Sequence, residues 1–222
     1  MDTTESAALY DCMSTLRAVR RLRPEPLPDA VLQRILQAAA WAPSGGNVQP
    51  WRVVVVRDDA KRQALGDLYR PLWADYAQGA RAGLERLQGE ALAKRERMLK
   101  AADHLGEHLG AAPVILLFCF NPSHMAITDA DLGRPSVVGG GSVYPAVQNA
   151  MLACVAEGVG CTLTTLLCYA EDSVRQLFDI PDDWYTCAVM PIGYPVATGH
   201  GPISRRPVAK LAFADAWGAS FE

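Results

Sequence analysis

The chain has 222 residues, of which 50% are hydrophobic and 20% are charged. This composition is typical of a globular protein that can bury a sizeable core. The formal net charge of −3 argues against a general attraction to nucleic acid or to an anionic membrane, so any basic site must be local.

The N-terminal pattern, the lengths of the apolar runs and the cysteines favour a cytoplasmic protein. The N-terminus lacks a signal-peptide pattern, and no apolar run approaches the roughly 20 residues of a membrane span. The six cysteines are scattered without a C-x-x-C pair. We expect reduced, buried thiols, although their number would allow three disulfides.

In chain order, the first elements predicted are two helices and a strand. Residues 6–17 place apolar side chains at helical spacing. A second helix begins near Pro28, has one apolar face and ends at Pro43. Trp51 to Arg57 is expected to be a buried strand, and Asp58 or Asp59 caps the helix after it.

The second half alternates polar and apolar segments. Residues 75–110 are charged and helix-prone, and we interpret them as a solvated helical excursion that covers a site. Strands are predicted at 113–120, 161–166 and 185–192. A loop spans 121–141, and Ser142 is expected to cap a long helix over 143–157 that exits at Gly158. No segment has the composition of a domain linker, so residues 1–222 are predicted to form a single α+β domain.

The loop from Ala42 to Trp51 has an unusual composition. Gly45 and Gly46 allow backbone geometry closed to other residues, and prolines restrict its ends. Ser44, Asn47 and Gln49 add neutral polar groups between two tryptophans. Such a loop suits a flat heterocycle with a polar edge, but turns commonly have the same composition.

Arginines cluster near both ends of the chain, at positions 17, 20, 21 and 23 and at positions 205 and 206. A guanidinium can bind phosphate through two hydrogen bonds. One small phosphate is therefore a reasonable target, and a solvated basic face is the alternative for either cluster.

Three other motifs are weaker. Gly139-Gly140-Gly141-Ser142 precedes a helix but lacks the following Lys-Ser/Thr of a phosphate loop, so tight packing or capping is preferred. The bend from Gly158 to Thr165 offers backbone N–H groups, but it is also typical of a plain strand. His104 to His108 matches H-x-x-E-H, yet glycines weaken the helix, and we predict no metal site.

Taken together, these segments resemble the FMN-dependent nitroreductase family over nearly the whole chain. The resemblance rests on the pieces Arg17–Pro24, Ala42–Trp51, Gln148-Asn149, Gly158–Thr165 and Gly193-Tyr194-Pro195 with Arg205-Arg206-Pro207. It implies an α+β fold with a central, mostly antiparallel sheet flanked by helices. It also implies an interlocked homodimer with two FMN sites at the subunit interface.

The resemblance further implies the residues that would contact FMN. Arg17, Arg20 and Arg205 would hold the phosphate. Leu163, Thr164 and Thr165 would line the isoalloxazine edge near N5, mainly through backbone groups. The loop would reach the partner's flavin through Pro43, Ser44, Gly45 and Asn47, braced by Gln49 and Trp51.

This chain departs from the family pattern at the phosphate segment. The family has Arg-Arg-Ser-x-Arg where this chain has Leu16-Arg17-Ala18-Val19-Arg20, so a guanidinium and a hydroxyl contact are missing around Ala18. Arg21 or Arg206 is the expected replacement.

The implied activity is hydride transfer from NADH or NADPH through flavin N5 to an electron-poor acceptor, such as a nitroaromatic or a quinone, by a ping-pong mechanism. No catalytic side chain is required, because the flavin supplies the chemistry. The alternatives are a non-catalytic flavin-binding or storage module, and the same fold performing reductive dehalogenation or flavin fragmentation.

Overall fold

A computed structural model describes residues 3–198 and 203–221. Its helices are α1 (Thr3–Thr15), α2 (Asp29–Ala40), α3 (Asp59–Ala82), α4 (Gly89–His108), α5 (Tyr144–Ala156) and α6 (Glu171–Phe178). Its strands are β1 (Trp51–Val56), β2 (Val114–Phe120), β3 (Gly160–Cys161) and β4 (Tyr185–Gly193). Within the described ranges, no helix is long and apolar enough to cross a membrane.

The four strands form one sheet in the order β1-β2-β4-β3, and every neighbouring pair is antiparallel. The β2 strand lies inside the sheet, and all its residues except Phe120 are fully buried. Its alternate side chains enter two separate cores, with Leu116 and Phe118 in one and Ile115 and Leu117 in the other. Helices cover both faces of this strand. Its sequence is therefore a continuous apolar run rather than an alternating one.

Helices α2 and α5 cover one face of the sheet. Leu32, Ile35 and Ala39 of α2 share a core with Ala146 and Ala150 of α5. Small side chains on α5 allow close approach of the two helices. This packing positions the loop that follows α2 and the glycine bend that follows α5.

Helices α3 and α4 form a hairpin that contains the predicted helical excursion. Asp58, one of the two predicted caps, caps α3 by accepting a hydrogen bond from the Lys61 N–H at 2.9 Å, and the helix that begins at Asp59 continues into the segment that starts at residue 75. The hairpin is also packed rather than merely solvated, since a Cβ on Gly66 would lie 2.9 Å from the Gly110 backbone nitrogen. Glycine here permits contact between backbones.

The strand predicted over 161–166 is much shorter than expected. Only Gly160 and Cys161 form β3, although Thr164 still pairs with Val189 of β4 in the same register. The position opposite Thr162 in that register is Pro191, which has no N–H to donate to the ladder. The ladder is therefore interrupted, and a 3-10 helix begins at Leu166.

The predicted cap at Ser142 is also wrong. No side chain caps α5, whose flanking residue is Val143. The Ser142 hydroxyl instead accepts a hydrogen bond from the Gly45 N–H at 3.0 Å, so it joins the start of α5 to the loop after α2.

Candidate functional site

The arginine segment runs in extended form along the edge of the sheet. Val19 N–H donates to the Cys161 carbonyl at 2.8 Å, and Arg23 N–H donates to the Tyr194 carbonyl at 2.8 Å. Because successive side chains of an extended chain point to opposite sides, Arg17 and Arg20 line separate cavities. One chain therefore does not bring together the two arginines that the sequence placed on one phosphate.

Arg17 lines a cavity of about 370 Å³ beside the end of α5. The glycine bend from Gly158 to Cys161 forms one wall, and Pro195, Ala197 and Thr198 of the C-terminal tail form another. Residues 199–202 lie outside the described part of the tail. Arg205 and Arg206, seven and eight residues after Thr198, are exposed.

Arg20 lines a second cavity of about 380 Å³, which we call the Arg20 cavity. It lies between the α3–α4 hairpin and the segment after β3, and its walls comprise Arg20, Tyr69, Trp73, Tyr76, Ala102, Leu105 and Thr162–Leu166. It therefore brings one arginine together with all three predicted flavin-edge residues.

The Arg20 guanidinium is half-buried in this cavity, and burial lowers its pKa while the neighbouring Tyr69 hydroxyl opposes that effect. Arginine nonetheless keeps its charge in proteins. Among residues 3–198 and 203–221, no hydrogen bond or ion pair is recorded for this side chain. A charged donor that is partly desolvated and unpaired favours an anionic or electron-rich ligand.

The segment after β3 presents backbone donors to the same cavity. Thr164 uses its N–H and its carbonyl to pair with Val189, at 2.9 and 2.8 Å. In an antiparallel ladder the residues on either side then point their N–H groups away from the partner strand. Within the described chain, the N–H groups of Leu163 and Thr165 have no recorded partner, so these two are the donors open to a ligand.

The aromatic wall of the Arg20 cavity was missed by the sequence analysis. Tyr69, Trp73 and Tyr76 follow one another at helical spacing on α3, and this spacing was a usable signal. The hydroxyls of Tyr69 and Thr164 are hydrogen-bonded at 3.2 Å. Burial raises the pKa of Tyr69, partly offset by this bond and by Arg20, so Tyr69 stays protonated.

The Trp73 side chain is fixed by a hydrogen bond and by close packing against α4. Its indole N–H donates to Asp103 Oδ1 at 3.0 Å, and Arg81 donates to the same oxygen at 2.6 Å. A Cβ on Gly106 would lie 2.2 Å from the Trp73 ring. Gly106 therefore belongs to the packing of this wall and does not simply weaken the helix.

The loop after α2 is rigid and lies apart from the Arg20 cavity. Ser44 Oγ accepts from the Gln49 N–H at 2.9 Å, and the Gln49 amide donates to Asn47 Oδ1 at 3.1 Å. Positive φ angles at Gly46 and Asn47 bend the backbone. Gln49 thus braces the loop as predicted, and the exposed side chains of Pro43 and Asn47 face away from their own core.

A third cavity, of about 380 Å³, touches the Arg20 cavity at Thr165. The loop over 121–141 forms much of its wall, with Gly140 against the Tyr144 ring, where a Cβ would lie 3.0 Å away. Of the three glycines, Gly140 is therefore the one that packs closely, since a Cβ on Gly141 would meet nothing within 4 Å. Asp129 organises this loop by accepting hydrogen bonds from Ser136, Arg134 and the Val137 N–H.

The cysteines and the two α4 histidines are not grouped as metal ligands within the described ranges. All six cysteines are free thiols, and burial raises the pKa of Cys119 to about 12. His104 and His108 lie on α4, and their rings are stacked with 4.2 Å between the ring centroids. Among the residues described, no three His, Cys, Asp or Glu side chains are grouped so that they could hold a metal ion.

Comparison with known proteins agrees with this architecture. The family model described as "Nitroreductase family" matches residues 15–194. The solved "NADPH:FMN oxidoreductase" of Vibrio harveyi complexed with NAD+ superposes with a TM-score of 0.66 at 19% identity, covering 95% of this chain and 78% of that one.

Three curated relatives carry different activity names. An "NADH dehydrogenase" of Thermus thermophilus is 28% identical over 88% of this chain and 90% of its own. An "Iodotyrosine deiodinase" of Nematostella vectensis is 27% identical over 93% of this chain and 75% of its own. A "5,6-dimethylbenzimidazole synthase" of Rhodospirillum rubrum is 31% identical over 81% of this chain and 78% of its own.

Proposed function

Because the chain belongs to the nitroreductase family, we propose that it is an FMN-dependent oxidoreductase that uses NADH or NADPH to reduce an electron-poor acceptor. Bound FMN would supply the redox chemistry, a ping-pong hydride transfer through N5. The protein residues would bind, orient and stabilise.

The observation that carries this proposal is the Arg20 cavity. It combines the guanidinium of Arg20 and the backbone N–H groups of Leu163 and Thr165, which have no recorded partner in the described parts of the chain, with an aromatic wall on α3. A flat heterocycle with a polar edge needs such a set, namely donors along one side and apolar surface against its face. This cavity therefore supports the flavin assignment without a side-chain acid or base.

The separation of the two arginines refines their proposed roles. Arg20, beside Leu163 and Thr165, is suited to the pyrimidine edge of the ring, where its charge would stabilise a reduced flavin. Arg17 shares its cavity with the tail that leads to Arg205, so Arg17 and Arg205 remain the proposed phosphate ligands. Arg21 donates to His104 at 3.0 Å, which leaves the exposed Arg206 as the better replacement for the missing contact.

The second half of each site is proposed to come from a partner subunit. The loop with Ser44, Gly45 and Asn47 is exposed and does not line the Arg20 cavity of its own chain. Large apolar side chains are also exposed on α1 and on the tail, including Met13, Leu211 and Trp217. A homodimer would bury these surfaces and complete two sites.

The α3–α4 hairpin is proposed as the element that shapes the acceptor site. Trp73 and Tyr76 from α3 and Leu105 from α4 face the same cavity as Arg20. An aromatic wall favours flat acceptors, because rings stack on it. Nitroaromatics and quinones fit this requirement.

The test is an absorption spectrum of the purified protein before and after anaerobic addition of NADPH or NADH. We expect a bound-flavin spectrum that bleaches with a donor and returns when a quinone or nitroaromatic is added. A colourless protein that cannot be reconstituted with FMN would refute the proposal.

The second candidate is a different reaction on the same fold, and the names of the relatives favour testing it. A deiodinase and a 5,6-dimethylbenzimidazole synthase are both about as similar to this chain as the NADH dehydrogenase. Product analysis separates these reactions, since dehalogenation releases halide and flavin fragmentation consumes the cofactor. Colour without bleaching by any donor would instead indicate a flavin-storage module.

A further inference from the structure

A smaller cavity of about 130 Å³ lies behind Arg20. We call it the His104 cavity, and its walls comprise Arg20, Leu22, His104, Leu105, His108, Ala111, Ala112 and Pro191. Arg20 and Leu105 line both this cavity and the Arg20 cavity. The two spaces therefore adjoin at these two residues.

The hydrogen bonds around His104 fix its tautomer. Arg21 Nη1 lies 3.0 Å from His104 Nδ1, and arginine can only donate. Nδ1 must therefore accept, and neutral His104 carries its proton on Nε2. This leaves an imidazole N–H donor in a wall that already contains the Arg20 guanidinium.

Backbone carbonyls near the cavity already accept hydrogen bonds from other residues. The carbonyl of His104 accepts from His108 Nδ1 at 2.9 Å, so His108 also has a defined orientation. The carbonyls of Gly110 and Ala112, at the end of the hairpin, accept from Arg62. The nearest carboxylate, Glu107, is largely exposed and 3.9 Å from His108. The rest of the wall is apolar, so Arg20, His104 and His108 supply its polar side chains.

We propose that the His104 cavity binds an oxyanion, a phosphate or a carboxylate, between the Arg20 guanidinium and the His104 Nε2–H. A space of this size would hold about four waters at roughly 30 Å³ each, which is enough for one such group. Charge-assisted hydrogen bonds from arginine suit both anions. The inference goes beyond the proposed redox activity and does not depend on it.

The charges around His104 set the expected pH behaviour. Burial lowers its pKa, and the positive charge of Arg21 and the stacked His108 lower it further, while Glu107 opposes them. Arg20 faces the same cavity. A bound anion adds a negative charge beside the ring, which favours the protonated form, so occupancy should raise the pKa of His104.

The test is an NMR titration of the histidine side chains in the full-length protein, with inorganic phosphate and acetate as probes and chloride at matched ionic strength as the reference. The chain has only four histidines, and His104→Gln and His108→Gln assign their signals. We expect saturable phosphate-dependent shifts at His104 and a higher titration midpoint with phosphate than with chloride.

His104→Leu removes the donor and should weaken phosphate binding on the order of ten-fold, as expected for one charge-assisted hydrogen bond. His124→Gln is the matched control, because His124 lies by Trp184 and outside this cavity; phosphate binding should not change. Equal shifts in phosphate and chloride, or an unaltered affinity in His104→Leu with the fold intact by circular dichroism, would overturn the proposal.

The source of the anion is resolved by loading the protein with FMN or with riboflavin. If the flavin's own phosphate occupies the cavity, added phosphate shifts His104 only in the riboflavin form. If a separate ligand occupies it, phosphate shifts His104 in both forms. A protein that binds no flavin still permits the phosphate titration, so failure of the redox proposal is distinguishable from failure of this one.

Discussion

Among single residues, Arg20 has the most features that point to ligand binding. It lies at the junction of two cavities, is partly desolvated, and has no recorded ion pair in the described chain. An uncompensated charge costs stability in the free protein. Such a cost is typical of residues that are used for binding rather than for folding.

Replacement of Arg20 by Ala is expected to weaken FMN binding by about 10-fold to 100-fold, as for the loss of a hydrogen bond to a charged group. Titration of FMN fluorescence measures this loss. Arg23→Ala is the control, because Arg23 pairs with Glu25 at 3.4 Å and lines neither cavity.

The double variant Arg20→Ala, Arg205→Ala should be folded but colourless, and stoichiometric FMN in it would contradict the assignments.

Gly106→Ala is expected to destabilise the protein by about 1–3 kcal/mol, because the new methyl group would collide with the Trp73 ring. Urea denaturation measures the change in the free energy of unfolding. Gly79→Ala is a matched helical control, since a Cβ there meets nothing within 4 Å. It should stabilise by about 0.5–1 kcal/mol through helix propensity, and equal effects at both sites would show that the Trp73 contact is unimportant.

The family resemblance suggested Arg20, Leu163 and Thr165, which line one cavity, but not their aromatic neighbours in its wall. Tyr69 and Trp73 belong to a helix whose surroundings depend on how the hairpin folds back. Trp73 contacts Asp103 and Gly106, which lie 30 and 33 positions further along the chain. Likewise, the opposite directions of Arg17 and Arg20 follow from the pairing of Val19 with Cys161. Local patterns cannot supply a pairing partner that lies 142 positions away along the chain.

At the scale of elements, the well-predicted segments are those whose burial requires a continuous pattern. The predicted limits of β2, β4 and α5 lie within one residue of the observed limits, since both strands are buried almost throughout and one face of α5 is buried. The shortened β3 was not foreseen, because the interruption arises from Pro191 on the neighbouring strand rather than from residues 161–166 themselves.

The loop over 121–141 depends on Asp129. Its hydrogen bond with Ser136, followed by those from Val137 and Arg134, lowers the pKa of Asp129. This contribution to stability is present above the ordinary aspartate pKa and is lost as the pH falls through the lowered value. Asp129→Asn should therefore accelerate proteolysis of the loop at pH 7.

The exposed Asp131, for which no hydrogen bond is recorded in the described chain, provides the control for that experiment. Asp131→Asn should be cleaved at the rate of the parent protein. Equal cleavage rates for Asp129→Asn and the parent, measured by gel densitometry, would show that the network does not hold the loop.

At the scale of the whole molecule, the exposed apolar surface is the main unexplained feature of one chain. Leu9 and Met13 are 47% and 46% exposed, and Trp217 is 94% exposed. The opening helix was predicted from apolar side chains at helical spacing. Two of them, Leu9 and Met13, do not pack on the core of their own chain. Monomeric proteins rarely leave such surface in contact with water.

Sedimentation is expected to give a mass of about two chains of 24.0 kDa when FMN is bound, because the loop of one subunit would complete the site of the other. Trp217→Asp should shift the equilibrium towards monomer and reduce FMN retention together with dimer content. A monomer that keeps stoichiometric FMN would contradict the shared-site model.

The interrupted ladder at Pro191 has a consequence for the protein without its ligand. Leu163 and Thr165 direct their N–H groups outward from the last strand position of the sheet, and the arginine segment covers that edge only as far as Cys161. A bound flavin would occupy the place of a further strand and block this edge. Freshly stripped protein should therefore be prone to self-association through its open edge, so that the cofactor would act as a safeguard against aggregation as well as a redox centre.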